Sequence, residues 1–224
     1  MSTIMEWAKK TVLFLGAILP SNYEIVLQDT IAGKIISIIN GHVSGRCLNA
    51  PLTDYALKVI SDERWKTTDY ELNYWGKTTE GNILRSSTFF LKERDKLVGM
   101  ICININISDY ERISSEIMGL VGLNSQITTT VAENASQELN NSNHQLMENF
   151  AKSKHEVISN TISQCLKNKN NIPVSRLTQK EKLEVVQVLK DQGVFLLKGA
   201  ISDVAVCLNC SEATVYRYLS KLTK

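Results

Sequence analysis

From Ile101 to Ile107 the chain alternates without a break: Ile101, Ile103, Ile105 and Ile107 are separated by Cys102, Asn104 and Asn106. A period of two puts the isoleucines on one face of a β-strand and the cysteine and asparagines on the other. The strand therefore needs a sheet with an apolar, covered face. The run before it, "GNILRSSTFFLKE", is also β-like, and Arg94-Asp95 joins it to "KLVGMICININ" as a hairpin. Two shorter β-branched runs, "EIVLQD" and "GKIISIIN", lie nearer the N-terminus, and "NGHVSGRCLNAPLTD" after them reads as turn and loop. A helix followed by an antiparallel sheet with one covered face is an α+β plan.

The opening helix comes from the N-terminal segment. Lys9 and Lys10 precede "TVLFLGAIL", a charged-then-apolar order shared with secretory leaders. The run is too short to span a bilayer, and Pro20-Ser21-Asn22 stands where a small-residue cleavage site belongs, so the segment is expected to pack on the domain core. Five scattered cysteines, an odd number, fit a reduced, cytoplasmic protein better than a disulfide framework.

Residues 1–110 thus form one unit. Residues 111–172 change character: "NSQITTTVAENASQELNNSNHQ" is polar and reads as a linker. Apolar residues then return at helical spacing as Met147, Phe150, Val157, Ile158, Ile162, Cys165 and Leu166. That stripe fits a connecting helix that either covers the sheet or forms the seam of a homodimer. Residues 173–224 read as all helix. They hold eight Lys and Arg against five Asp and Glu, a net +3, so the remainder carries −1 of the chain's +2. A basic excess confined to this end points to nucleic acid.

The helical end has a definite pattern. Thr178 and Glu181 have capping-box spacing, and Gly193 suits a left-handed helix end. A second helix runs from about Gly199 to Cys207, with Ala205 as the small residue at a helix crossing. Asn209 stands where a tight turn needs a left-handed residue, and Ser211 caps a third helix. This is the helix-turn-helix arrangement. In the third helix Val215, Tyr218, Leu219 and Leu222 form an apolar stripe. The opposite face centres on Ala213, Arg217 and Ser220, flanked by Ser211, Thr214, Tyr216 and Lys221, and is suited to double-stranded DNA, with Arg217 for guanine edges. Cys207-x-x-Cys210 lacks a second ligand pair for zinc and a βαβ setting for redox chemistry, so Cys210 reads as a small core residue of the turn.

These stretches resemble the YheO-like family of bacterial transcriptional regulators. The resemblance rests on "EIVLQD", "INGHVSGR", "ILRSSTFFL", "GMICININ" and "GVFLLKGAISDVAVCLNCSEATVYRYL", in order along almost the whole chain. It implies a PAS-like sensor domain joined to a C-terminal helix-turn-helix, and a ligand-responsive regulator of transcription. The family usually has His where Gln28 stands and an acidic residue where Asn106 stands, departures that imply a different effector if those positions touch it.

Candidate ligand residues in the sensor half are His42, Ser44 and Arg46 in one loop, Arg85 and Ser87 on a strand, and Asn104 on the polar strand face. Two arginines with hydroxyls and an amide would cradle a carboxylate, so the expected effector is anionic or amino-acid-like. Asn40-Gly41-His42 reads equally as turn chemistry, and Arg46 as a surface ion pair. Arg85 and Ser87 share a strand face while Ser86 and Thr88 share the other, so one pocket cannot use all four. No nucleophile–base spacing, phosphate loop or metal motif marks an enzyme, and no cofactor is called for. The competing class is a sensor or adaptor whose helical end binds protein. Discrimination between operators favours a homodimer, since one helix-turn-helix makes few base contacts.

Overall fold

The computed structural model describes residues 3–120, 148–167 and 173–222. The first part runs α1 (Thr3–Ile18), β1 (Tyr23–Asp29), β2 (Lys34–Ile39), α2 (Asp54–Ser61), β3 (Tyr70–Thr78), β4 (Ile83–Glu93), β5 (Lys96–Asn106) and α3 (Ser108–Leu120). After residue 147 come β6 (Glu148–Phe150), α4 (Lys154–Lys167), α5 (Gln179–Asp191), α6 (Ala200–Cys207) and α7 (Glu212–Lys221). The strands form one sheet in the order β2-β1-β5-β4-β3-β6. Every pairing is antiparallel except β3 with β6.

The alternating strand, β5, lies at the centre between β1 and β4. Arg94 and Asp95 both have positive φ, 48° and 60°, as a two-residue hairpin turn with the strands' own twist requires. The isoleucine face is the covered outer one. Met5, Ala8 and Val12 of α1 are buried there against Ile25, Leu27, Leu91, Val98 and Ile101. The opposite, inner face carries Val26, Phe90, Met100 and Cys102 and meets Tyr55, Ala56, Leu57 and Val59 of α2. Strand β3 has no clean alternation, because Asn73 takes φ 58° and the register with β4 shifts between Glu71 and Tyr74.

The connecting stripe does not form one helix. Met147 lies outside the described residues, and Phe150 belongs to β6, its ring pressed on Gly76, where a Cβ would come within 2.3 Å of it. Val157, Ile158, Ile162 and Leu166 are buried on α4 in the same core as Val185, Val186 and Leu189 of α5 and Val204 of α6. The expected dimer seam is therefore corrected: the chain's own helices fill it, with Ile158 0% exposed. Helix α4 packs with the C-terminal helices.

The C-terminal helices follow their local signals. Thr178 and Glu181 make the reciprocal capping box, and Gly193 takes φ 72°. Asn209 takes φ 48°, the Cys210 N–H donates to Ala205 O at 2.9 Å, and Ser211 accepts from the Thr214 N–H. Sensor sheet and helices share one hydrophobic core, which runs from Val26 and Met100 through Leu57 and Val59 to Val194, Val204 and Val215. A Cβ on Gly193 would meet Leu57 O at 2.7 Å, and Ser61 Oγ donates to Asp191 O at 3.0 Å. Helix α2 thus touches the inner sheet face on one side and α5 on the other.

Candidate ligand site and nucleic-acid interface

Strand register builds the polar part of the inner face. Glu24 is opposite Asn104, Asn104 opposite Ser86, and Ser86 opposite Tyr74, one row across β1, β5, β4 and β3. In the next row Leu84 is opposite Gly76, and Gly76 is opposite Glu148. Glu24, Asn104, Ser86, Tyr74 and Glu148 are all buried. The loop after β2 closes over them, turning at Gly45 with φ 72°. Ser44 Oγ donates to Glu24 at 2.6 Å, its N–H donates to the same oxygen at 3.3 Å, and Asn104 Nδ2 donates to the other at 2.7 Å.

Arg46, 4% exposed, reaches under the loop. Its Nε donates to Ala151 O at 3.1 Å and one terminal nitrogen donates to Pro51 O. Two of the five guanidinium N–H donors thus go to main-chain carbonyls. Asp54 accepts from the Asn149 N–H at 2.9 Å and from its side-chain amide. Four buried side-chain atoms among the described residues have no hydrogen-bond partner: Gln28 Oε1, Ser86 Oγ, Asn104 Oδ1 and Glu148 Oε2. Each such atom lacks a protein partner, and a buried polar atom left so carries a desolvation cost.

Electrostatics follow burial. Desolvation raises the Glu24 carboxyl, while hydrogen bonds from Ser44 and Asn104 and the charge of Arg46 pull it back. Burial pushes Glu148 up to about 7; Asp54 adds to that, while Thr53, Arg46 and Tyr74 oppose it. Burial lowers Arg46, and Glu148 and Glu24 resist the change. Burial also raises Asp54 against its bonds from Asn149. Three acids face one arginine here.

Of the residues singled out from sequence, Ser44, Arg46 and Asn104 come together. His42 is exposed on the loop. Arg85 and Ser87 are on the other side of the sheet. Ser87 Oγ accepts from the Asn73 N–H at 3.0 Å and lines an outer groove of about 440 Å³ with Trp7, Leu72 and Phe89. The inward pair is Ser86 and Thr88, so the two-arginine anion cradle does not assemble. Glu24, Asp54 and Glu148 were not singled out from sequence, and Ser86 was placed with Thr88 on the face opposite the chosen Arg85 and Ser87. Glu24 left a trace, an acid within an apolar strand; Glu148 left none, because it reaches the sheet through a strand in a stretch that reads as the start of a connecting helix. Gln28 is buried, while Asn106 accepts from the Ser108 N–H at 3.0 Å and opens α3.

At the other end, α7 buries Val215 and Tyr218 and half-buries Leu219 and Leu222. Ser211, Ala213, Tyr216, Arg217, Ser220 and Lys221 are exposed and Thr214 is half-buried, so the seven residues lie on or beside the solvent-facing side. The Arg217 guanidinium lies 5.9 Å from the Tyr218 ring centre. Cys207 and Cys210 are free thiols raised by burial, and Cys207 Sγ lies 3.8 Å from His155 Nδ1.

A family model described as the YheO-like PAS domain matches residues 1–122, more than half of the 224-residue chain. The chain belongs to the YheO-like family. An HTH domain model matches residues 157–220 of this YheO-like chain, beginning inside α4. The YheO protein of Escherichia coli K12 is 27% identical over 208 residues, 92% of this chain and 79% of the relative. A Haemophilus influenzae protein is 25% identical over 222 residues, covering 98% and 91%. Both matched domains are of regulatory rather than enzymatic type. No helix among the described residues is long and apolar enough to cross a membrane.

Proposed function

We propose that this YheO-like protein regulates transcription in the cytoplasm, binding operator DNA as a homodimer through α7, with its affinity set by a small molecule held on the inner face of the PAS-like sheet. The observation that carries the DNA reading is the division of α7 between a buried Val215/Tyr218 side and an exposed side bearing Arg217, Ser220 and Lys221. A convex, basic helix face next to a tight turn fits the major groove, and two copies about 34 Å apart would read successive half-sites.

The connection between sites supports the sensing part. Arg46 and Asp54 bond to Ala151 and Asn149, in the segment that leads into α4. Helix α2 begins at Asp54 beside the polar cluster and, at its far end, Ser61 bonds to α5. A ligand that shifts Arg46 or Asp54 therefore acts on elements that carry the reading helix, as coupling between separate sites requires.

The test measures binding to duplex DNA across a salt series. Affinity should fall steeply as salt rises. Arg217→Ala should weaken operator binding by about 1–3 kcal/mol if Arg217 reads a base. A folded Arg217→Ala protein with undiminished affinity removes that role; absence of DNA affinity in the wild type at low salt favours the protein-binding adaptor. Sedimentation of the wild type checks the dimer, and a monomer at micromolar concentration rejects it.

A further inference from the structure

The unpartnered atoms of the inner face share one chemical character. Asn104 Oδ1 accepts, Glu148 Oε2 accepts once the carboxyl, pushed up to about 7 by burial, has given up its proton, and Ser86 Oγ is a hydroxyl that accepts as readily as it donates. Asn104 Nδ2 donates to Glu24, so its Oδ1 faces away from that carboxyl. Ser86 lies directly across from Asn104, and Glu148 is in the adjoining row. Arg46, the cation of the cluster, gives two of its five N–H donors to Ala151 O and Pro51 O. Glu24, Asp54 and Glu148 face it, and burial shifts each of them toward its neutral form. A carboxylate entering this site would bring further acceptors to the unpartnered oxygens; an ammonium group would bring the hydrogens they lack.

We infer that the inner face of the PAS-like sheet binds a small primary amine, its ammonium group donating to Asn104 Oδ1, Ser86 Oγ and Glu148 Oε2. This rests on the sensing reading above and narrows it, replacing the anionic effector expected from Arg46 and Arg85. Glu24 and Ser44 are positioning residues: they hold Asn104 with its carbonyl end free.

The experiment uses the full chain in thermal melts, with butylamine and ethylenediamine as probes against butyrate and succinate of matched size. Ser86→Ala removes a buried hydroxyl that has no partner, so that variant should fold and melt at or above the wild-type temperature without ligand. The amines should raise the melting temperature of the wild type in a saturable way, and Ser86→Ala and Glu148→Gln should each need roughly tenfold more amine for the same rise. Protection by the carboxylates alone overturns the amine assignment and leaves sensing intact. Protection by neither set, or equal amine protection of wild type and both variants, overturns it as well. Duplex binding is measured on the same samples; amine protection without any DNA affinity sinks the regulator reading alone and leaves the amine site standing.

Discussion

Glu148→Gln exchanges a buried carboxyl for an uncharged group of the same shape. The carboxyl lies in a cluster that Asp54 of α2, Arg46 of the loop, Tyr74 of β3, Glu24 of β1 and Cys102 of β5 all face. Burial is the largest reason that its pKa rises from 4.5 to about 7. A carboxyl raised in the folded chain holds its proton more tightly there than in the unfolded chain. Its contribution to stability is complete below 4.5 and is lost as pH climbs through 7, where the folded protein must carry a buried charge. That rise corresponds to about 3 kcal/mol. Glutamine never ionises, so the variant should match the wild type at about pH 3.5 and exceed its stability by about 3 kcal/mol at about pH 8.5. Urea unfolding of both proteins across that range reads the difference directly. Glu24 and Asp54 are also raised, and because Asp54 and Glu148 repel each other, removing the Glu148 charge eases the ionisation of Asp54 and acts in the same direction at high pH. Parallel curves would refute the reasoning. A variant less stable at high pH would mean that the attraction of Glu148 to Arg46 outweighs the cost of burying its charge.

Two further substitutions probe the C-terminal half. Ile158→Ala empties a fully buried site between α4 and its neighbours and should cost roughly 2–5 kcal/mol in urea unfolding, with wild-type stability counting against the packing of α4. Cys207→Ser combined with Cys210→Val should keep duplex DNA binding, because the turn needs the Cys210 N–H bond to Ala205 O and not its sulfur; binding lost from a folded double variant would restore a chemical role to the thiols.

What could be read from residues in order was whatever depends on near neighbours. The isoleucine alternation, the Arg94-Asp95 turn, the Thr178 box, Gly193, Asn209 and Ser211 all act within a few positions, and each appears as expected. The division of α7 into apolar and polar sides follows from helical period alone. The stripe around Ile158 was legible as apolar, yet its partner was not, because a second subunit and the chain's own α5 and α6 satisfy the same pattern.

The sensor site was decided by pairing. Sequence placed Arg85 with Ser87 and Ser86 with Thr88 on opposite faces of β4, but which pair faces Asn104 depends on the register of β4 against β5. That register sets Ser86 opposite Asn104 and sends Arg85 outward. Likewise, "NGHVSGR" reads as an exposed polar loop, while the folded loop buries Ser44 and Arg46 against Glu24 and Ala151, the latter 105 positions away. The sequence by itself determined the strands, turns and caps, because local geometry carries their energetics. Only the tertiary structure decided which face is wet, which charges share a site and which acceptors are left free, because desolvation acts on whatever the fold brings together.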